Sequence, residues 1–461
     1  MNMTLTEKIM ARAAGKTTVQ PGDNVWVNVD ILMTHDVCGP GTIGVFHREF
    51  GKDAEVWDRE KIVIIPDHYI FTADSKCSRN VDILRQFVGE QGIKYFYDVV
   101  DDPPNGRWVF DPSKDNYTRQ YGSHYAGVCH TALAARGHTR PGEVLLGTDS
   151  HTCTAGAFGE FAAGIGNTDA GFVLGTGKLL LKVPETMRFW FDGALPRGVM
   201  AKDVVLHIIG KIGVDGATYR AMQFQGPGAK SLSIDDRMTI ANMVIEAGAK
   251  NGIFEPDEKT FAYVNERTKI NGTKSTYDPI FCERDDQQRF VSDQKFDLDK
   301  IEPTVACHPN PSNCKLAKEL GHIVLDRAYI GSCTGGKFSD FLAFTEVVKG
   351  RKVKIDTFGV PATPEVVVEM HTTRLNGKTI WQVLVDAGVQ MSMNPGCAAC
   401  LGGPTDTFGR MNQPLKCIST TNRNFPGRMG HPASQVFLAS PYTVAASALT
   451  GRITDPRELL S

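Results

Sequence analysis

Two cysteines stand three residues apart in Cys397-Ala-Ala-Cys400, between Pro395-Gly396 and Gly402-Gly403. That spacing lets two thiolates reach one metal ion or cluster, and it suits a redox dithiol equally well. The flanking proline and glycines make a loop whose backbone can wrap closely around a bound group. A zinc site normally wants a second pair of ligands, and the sequence has no second C-x-x-C and no H-x-x-x-H. The most loop-like further thiol is Cys333, in Gly331-Ser-Cys-Thr-Gly-Gly336. Three cysteines from two loops would leave one iron of a 4Fe-4S cluster without a protein ligand, and such an iron acts as a Lewis acid on a hydroxyl or carboxylate oxygen. Spacing alone leaves the competing reading standing: a packed Cys333 beside a zinc or redox pair.

Histidines next to acids are the second set. Asp67-His68 and Asp149-Ser150-His151 each end an apolar run, and His130 follows in Gly127-Val-Cys-His. A histidine beside a carboxylate is held in one tautomer and serves as a proton donor or acceptor. Either pair alone reads as solvated loop histidines; two pairs together point toward an active site. Asn242 and Glu246 lie four apart on an expected helix over 234–247 and so share a face. On residue type alone they are exposed polar side chains. The run Thr421-Asn-Arg-Asn-Phe-Pro-Gly-Arg428 offers two guanidinium groups, whose forks bind carboxylates at two points, or else a surface turn. Leu174-Gly-Thr-Gly-Lys178 fails the phosphate-loop spacing, with Phe172 in place of the first glycine and Leu179 in place of the serine or threonine.

The elements that must position these residues follow an α/β rhythm. Lys61-Ile-Val-Ile-Ile-Pro66 and Glu143-Val-Leu-Leu-Gly147 read as buried strands ending in polar loops, and 81–92 as an amphipathic helix stopped by Gly92. Strand, polar loop and helix in succession imply a mainly parallel sheet, with ligands outside the carboxyl ends of the strands. The pattern changes near Leu181-Lys-Val-Pro-Glu185. A second unit follows with a helix opening at Ser233, and residues 255–320, including Cys282-Glu-Arg-Asp-Asp, read as a polar connection. A third unit opens with the apolar strand that runs into Cys333.

Bulk properties narrow the class. The chain has 461 residues, 41% hydrophobic and 22% charged, with a formal net charge of -2. Those values describe a globular protein with an ordinary core and do not favour a polyanionic partner. No run approaches the roughly 20 apolar residues of a membrane span, and the opening residues lack a signal peptide's apolar stretch. A cytoplasmic protein, or the mature form of an organellar one, is expected. Eleven dispersed cysteines do not form a secreted disulfide framework.

Taken together, the motifs PDH at 66–68, LLGTDSHTCTAGAFG at 145–159, NMVIEAGAKNG at 242–252, YIGSCTGG at 329–336, CAACLGG at 397–403 and TTNRNFPGRMGH at 420–431 resemble the aconitase superfamily. Within it they resemble most closely the large subunits of the isopropylmalate dehydratase branch. The likeness extends over nearly the whole chain. It implies three α/β domains around a cleft, at 1–183, 184–300 and 301–461, with Cys333, Cys397 and Cys400 holding one 4Fe-4S cluster. It places Asp67, His68, His130, Asp149, His151 and Glu246 in the catalytic cleft. His35, Ser150, Asn242, Asn422, Arg423 and Arg428 match positions close to the cluster or the substrate. His35 stands where aconitases proper carry a substrate-contacting glutamine, which favours the isopropylmalate branch.

Full-length aconitases continue into a fourth, swivelling domain that supplies a serine base and further arginines. This chain stops soon after Thr450, so the resemblance implies a separate small subunit and no activity without it. Thr334-Gly335-Gly336 also departs from the Thr-Asn that commonly follows this cysteine. The implied reaction is dehydration and rehydration of a hydroxy-polycarboxylate. Isopropylmalate is the first expectation; homoaconitate, citraconate or dimethylmaleate hydration and methylthioalkylmalate isomerisation share the same chemistry. An RNA-binding apo-protein and a zinc scaffold are the readings from other classes.

Overall fold

The computed structural model describes residues 2–99, 108–111, 116–119, 125–271 and 287–460. Cys282 and most of the polar run after it lie outside these. Three sheets organise what is described.

The first sheet is parallel throughout, in the order Tyr95–Phe96, Ile62–Ile64, Ile31–Thr34, Val144–Gly147, Phe161–Gly164. Its apolar strands are buried on both faces, as a parallel sheet covered on each side requires. Leu32, Ile62, Ile64, Val144 and Leu146 enter one core, and their neighbours Ile31, Met33, Val63 and Leu145 enter another. This is the alternation of successive side chains across a pleated strand.

Strand order reverses between Ile31–Thr34 and Val144–Gly147. A reversal of that kind opens a crevice beyond the strands' carboxyl ends. His35 and Asp36 follow one of these strands, Thr148, Asp149 and Ser150 follow the other, and Asp67-His68 follows the neighbouring strand Ile62–Ile64.

The second sheet, also parallel, runs Asn251–Phe254, Ala221–Gln225, Thr186–Asp192, Ser292–Asp297. The third has seven strands, five of them parallel: Gln435–Leu438, Lys416–Ser419, Arg327–Ile330, Asp356–Gly359 and Gln390–Met391. The antiparallel hairpin Thr304–Ala306/Cys314–Leu316 sits at its edge. Its order reverses between Arg327–Ile330 and Lys416–Ser419, whose loops carry Cys333 and Asn422-Arg423. Tyr329, Cys417, Val436 and Leu438 share one core with Phe189, Phe191 and Phe224 of the second sheet, so those two sheets pack on common apolar ground.

Several local expectations change. The helix expected from Val81 begins at Ser75, because the Asp74 carboxylate caps it by accepting from the Lys76 N–H; it ends on left-handed Gly92. Residues 255–320 are no mere connection. They carry the helix Glu258–Asn271, the strand Ser292–Asp297 and the hairpin. Ser292–Asp297 is polar because it is an edge strand with one buried position in six, Phe296. The helix expected over 234–247 is α-helical only to Met243, then tightens into a 3-10 turn over Val244–Ala247. Among the described residues, no helix is long and apolar enough to cross a membrane.

Candidate active site and metal centre

The two order reversals face one another, and the chemistry-bearing residues meet between them. Cys333 lies three residues beyond the strand Arg327–Ile330. Ser332 before it adopts φ 73°, a left-handed conformation that costs a non-glycine residue energy and turns the chain sharply. Cys397 caps the short helix Ala398–Leu401, which left-handed Gly402 closes, so that both cysteines of the pair face inward. All three thiols are buried, at 2%, 6% and 1% exposure in sequence order, in one cluster with Val128 and Ala362. The neighbouring Cys397 thiol holds the Cys333 and Cys400 thiols below their ordinary range and is itself raised by them.

Amides converge on these sulfurs. Asn242 Nδ2 donates to Cys333 Sγ at 3.1 Å, and Asn422 Nδ2 approaches the same sulfur at 3.4 Å. Cys400 Sγ lies 3.3 Å from Asn422 Oδ1. Asn422 also donates to Asn242 Oδ1 at 3.2 Å, which ties the two amides together. Asn242 and Glu246, ordinary exposed residues on type alone, are 0% and 5% exposed. Packing of their helix against the segment Ser150–Phe158 covers both.

Among the described residues, the groups whose ligand atoms all lie within 4.8 Å of one another, as a single ion needs, are His35-Asp36-Asp67-His68 and His130-Asp149-His151. The cysteine trio is not one of them. Three buried thiols brought together by two loops fit an iron–sulfur cluster, whose ordinary ligands are cysteine thiolates. The amide donors aimed at sulfur fit as well, since hydrogen bonds to cluster sulfurs are a normal part of such centres.

Next to the sulfurs lies a carboxylate–imidazole network. His68 Nδ1 donates to Asp67 Oδ1 at 2.6 Å, while Asp67 Oδ2 accepts from the Cys129 N–H at 2.8 Å. Burial alone would push His68 down, but the Asp67 carboxylate overrides it and raises His68 to about 10. Burial would likewise raise Asp67, and the His68 cation brings it below its ordinary value. Across the cleft, Asp149 Oδ1 faces His130 Nε2 at 2.9 Å and accepts from the His151 N–H at 2.7 Å. His151 Nε2 reaches Glu246 Oε1 at 2.9 Å, and Arg423 Nε donates to that same oxygen at 2.9 Å. Against the cost of burial, Asp149 and Glu246 raise His151 to about 9. Ser150 Oγ sits 3.4 Å from His151 Nδ1.

His35 stands between the two networks, with Nδ1 3.9 Å from Asp67 and Nε2 3.8 Å from Asp149, and its ring 4.9 Å from that of His68. Burial, then the His68 cation, lowers it, which favours its neutral form. Buried atoms without hydrogen-bond partners among the described residues include His35 Nε2, His130 Nδ1 and Arg428 Nε. Unpaired buried polar atoms are costly, and three at one cleft mark a place made for a polar ligand.

Every residue singled out from sequence is therefore at or beside this cleft. Arg423 directs its Nε to both carboxylate oxygens of Glu246, which sets its guanidinium beside the cleft. Three contributors were not singled out. Asp36 accepts the amide protons of Asp67 at 2.8 Å and His68 at 3.2 Å, and that of Tyr69 as well, fixing the turn that aims His68. Its place two residues after a strand end was the available signal. Thr154 accepts from Asn242 at 2.7 Å. Lys202 reaches in behind the cysteine loops, its ammonium drawn down to about 7 by burial against the support of Cys333 and Cys400. Thr154 lies within the motif at 145–159, whereas Lys202 shows no sequence signal.

Comparison with known proteins agrees with this geometry. The profile of the aconitase family (aconitate hydratase) matches residues 7–451. A chloroplastic 3-isopropylmalate dehydratase large subunit of Arabidopsis thaliana is 57% identical over 463 residues, covering 99% of this chain and 87% of the relative. 3-Isopropylmalate dehydratase large subunit 1 of Methanopyrus kandleri is 42% identical, and the large subunit from Acetivibrio thermocellus 41%, each with all of both chains covered. The chain belongs to the aconitase family.

Proposed function

We propose that this chain is the cluster-bearing large subunit of a 3-isopropylmalate dehydratase, a hydro-lyase of leucine biosynthesis that interconverts 2- and 3-isopropylmalate by loss and return of water. The observation that carries this reading is the 57% identity to such a large subunit over 99% of the chain, joined to a cleft whose cysteines, histidines and carboxylates all converge. Each of the three sheets would centre one α/β domain, at 1–183, 184–300 and 301–461.

Cys333, Cys397 and Cys400 would hold a 4Fe-4S cluster with one iron free of protein ligands. When bound, the cluster supplies a Lewis acid for the substrate's hydroxyl and carboxylate oxygens. The chain's own residues do the rest. Asp67 occupies His68 Nδ1 and keeps the ring protonated at neutral pH, so Nε2 gives its proton to the departing hydroxyl and water leaves. His35, neutral and with Nε2 unspent, donates a hydrogen bond into the cleft. Arg428 supplies positive charge for a carboxylate, and Asn242 and Asn422 steady the sulfurs. His151 and Glu246 hold Arg423 at the rim, with Asp149, Ser150 and His130 completing that wall. The base that takes the proton from the adjacent carbon would come from a separate small subunit. The unsaturated acid then regains water at the other carbon, with no net oxidation or reduction.

Anaerobic reconstitution of the chain with iron and sulfide, then with a dehydratase small subunit, tests this. Interconversion of the two isopropylmalates is expected only from the pair. Serine in place of any one of the three cysteines should cost the cluster its full iron content and turnover at least 10²-fold, the scale of losing a catalytic metal's support. Zinc in stoichiometric amount, or a marked preference for homocitrate or citraconate, would overturn the reading.

A further inference from the structure

The helix Ala201–Ile212 buries a lysine in its first turn: Lys202 is 1% exposed. Both facts are unfavourable. A cation at a helix N-terminus opposes the macrodipole, and a buried ammonium is costly unless its charge is balanced. Among the described residues no carboxylate lies within ion-pair distance of it; the nearby Asp340 is paired with Lys337.

What Lys202 does meet is three oxygens. Its Nζ lies 3.3 Å from Thr334 Oγ1, 3.0 Å from Thr420 O and 2.6 Å from Thr421 O. The Thr334 hydroxyl gives its own proton to Thr420 O at 2.8 Å and therefore accepts from the lysine. Three acceptors match the three donors of an ammonium; a neutral amine has only two N–H groups, and its lone pair would face an oxygen. All three oxygens are uncharged. The lysine is one residue removed from the sulfur loops on both sides: Thr334 adjoins Cys333, and Thr421 adjoins Asn422, whose Oδ1 lies 3.3 Å from Cys400 Sγ.

We propose that Lys202 is the buried counter-charge of the metal centre, fixed behind the sulfurs by the loops that carry Cys333 and Asn422. It is a positioning residue that acts on the cluster's charge and touches no substrate. Because Thr334 adjoins Cys333 and Thr421 adjoins Asn422, one ammonium also pins both loops at the spacing the cluster needs. The assignment rests on the reading that these thiols hold an iron–sulfur cluster.

The test uses the reconstituted heteromer and reads the cluster rather than turnover. Wild type, Lys202→Met, Lys202→Gln and Lys202→Arg are each titrated anaerobically with dithionite, which donates one electron to the cluster, and iron release to a chelator is timed. Losing a positive charge makes that electron harder to add. The two neutral variants should shift the reduction equilibrium at least tenfold toward the oxidised cluster, about 59 mV for one electron, and should release iron at least tenfold faster. Lys202→Arg should stay within threefold of wild type on both. A neutral variant that folds but holds no cluster also supports the proposal, provided Lys202→Arg holds one. Neutral variants with wild-type potential and iron retention overturn it. If both neutral variants fail to fold, Lys202→Arg decides: a tenfold shift with the charge retained overturns it. Wild-type protein that takes up no iron and sulfide would instead defeat the cluster reading itself, a separate failure.

Discussion

One carboxylate sets the protonation of His68. The ring is 5% exposed, so burial favours its neutral form, and chiefly the Asp67 contact at 2.6 Å, with Asp36 and Asp149 behind it, lifts it to about 10. Asp67→Asn keeps the shape and removes the charge. The imidazole should then drop below its ordinary value, since its desolvation remains. The alkaline limb of the pH–rate profile should move from above pH 9 to below neutrality, and kcat/KM at pH 8 should fall by about 10²–10⁴, the range for losing a general acid. An alkaline limb left in place would exclude His68 as the acid. At this scale the sequence was most legible where chemistry has local spacing, as in Cys397-Ala-Ala-Cys400 and Asp67-His68. It was silent on Lys202, which lies 131 positions before Cys333 in the chain, because a lysine in a first helical turn normally points to solvent.

At the scale of elements, the loops work because rigid strands end beside them, and glycines let neighbouring segments close up. Gly156, in the segment Ser150–Phe158 that carries His151, lies so near the strand Asn251–Phe254 that an added Cβ would fall 1.9 Å from Gly252 O. Backbone cannot yield there as a flexible side chain would. Gly156→Ala should destabilise the protein by about 1–3 kcal/mol and loosen the His151–Glu246 contact, so a lower melting temperature should accompany weaker isomerase activity. Wild-type melting and activity would show that this contact gives way freely. Buried parallel strands were readable from their apolar runs. Ser292–Asp297 was not, because an edge strand buries too little to show a period. The break from α to 3-10 helix after Met243 was also hidden, since residues four apart look alike in either reading until packing decides.

At the scale of the whole molecule, one charged chain crosses the cleft from sheet to sheet. His151 follows the first sheet, Glu246 lies just before the second sheet's strand Asn251–Phe254, and Arg423 follows the third; contacts of 2.9 Å join each to the next. Glu246 is the middle link, and at 5% exposure its loss leaves Arg423 without its carboxylate and His151 with Asp149 alone. Removing one member of a buried ionic set costs about 3–5 kcal/mol, so Glu246→Gln should lower unfolding stability by that order near pH 7. The pH dependence separates charge from packing. Burial would raise Glu246, but His151 and Arg423 hold it below its ordinary 4.5. Its contribution is therefore complete above the unfolded value and fades as pH falls through the lower folded one. The stability gap between wild type and Glu246→Gln, measured by urea unfolding, should be constant from pH 5 to 6.5 and close steadily below about 4.5. On the alkaline side, His151 sits at about 9 against 6.5 when unfolded. Its share is full below 6.5 and declines as pH rises toward 9, so the gap should narrow there too. A gap that stays the same size from pH 3.5 to 9 would mean that shape rather than charge holds the sheets at this cleft.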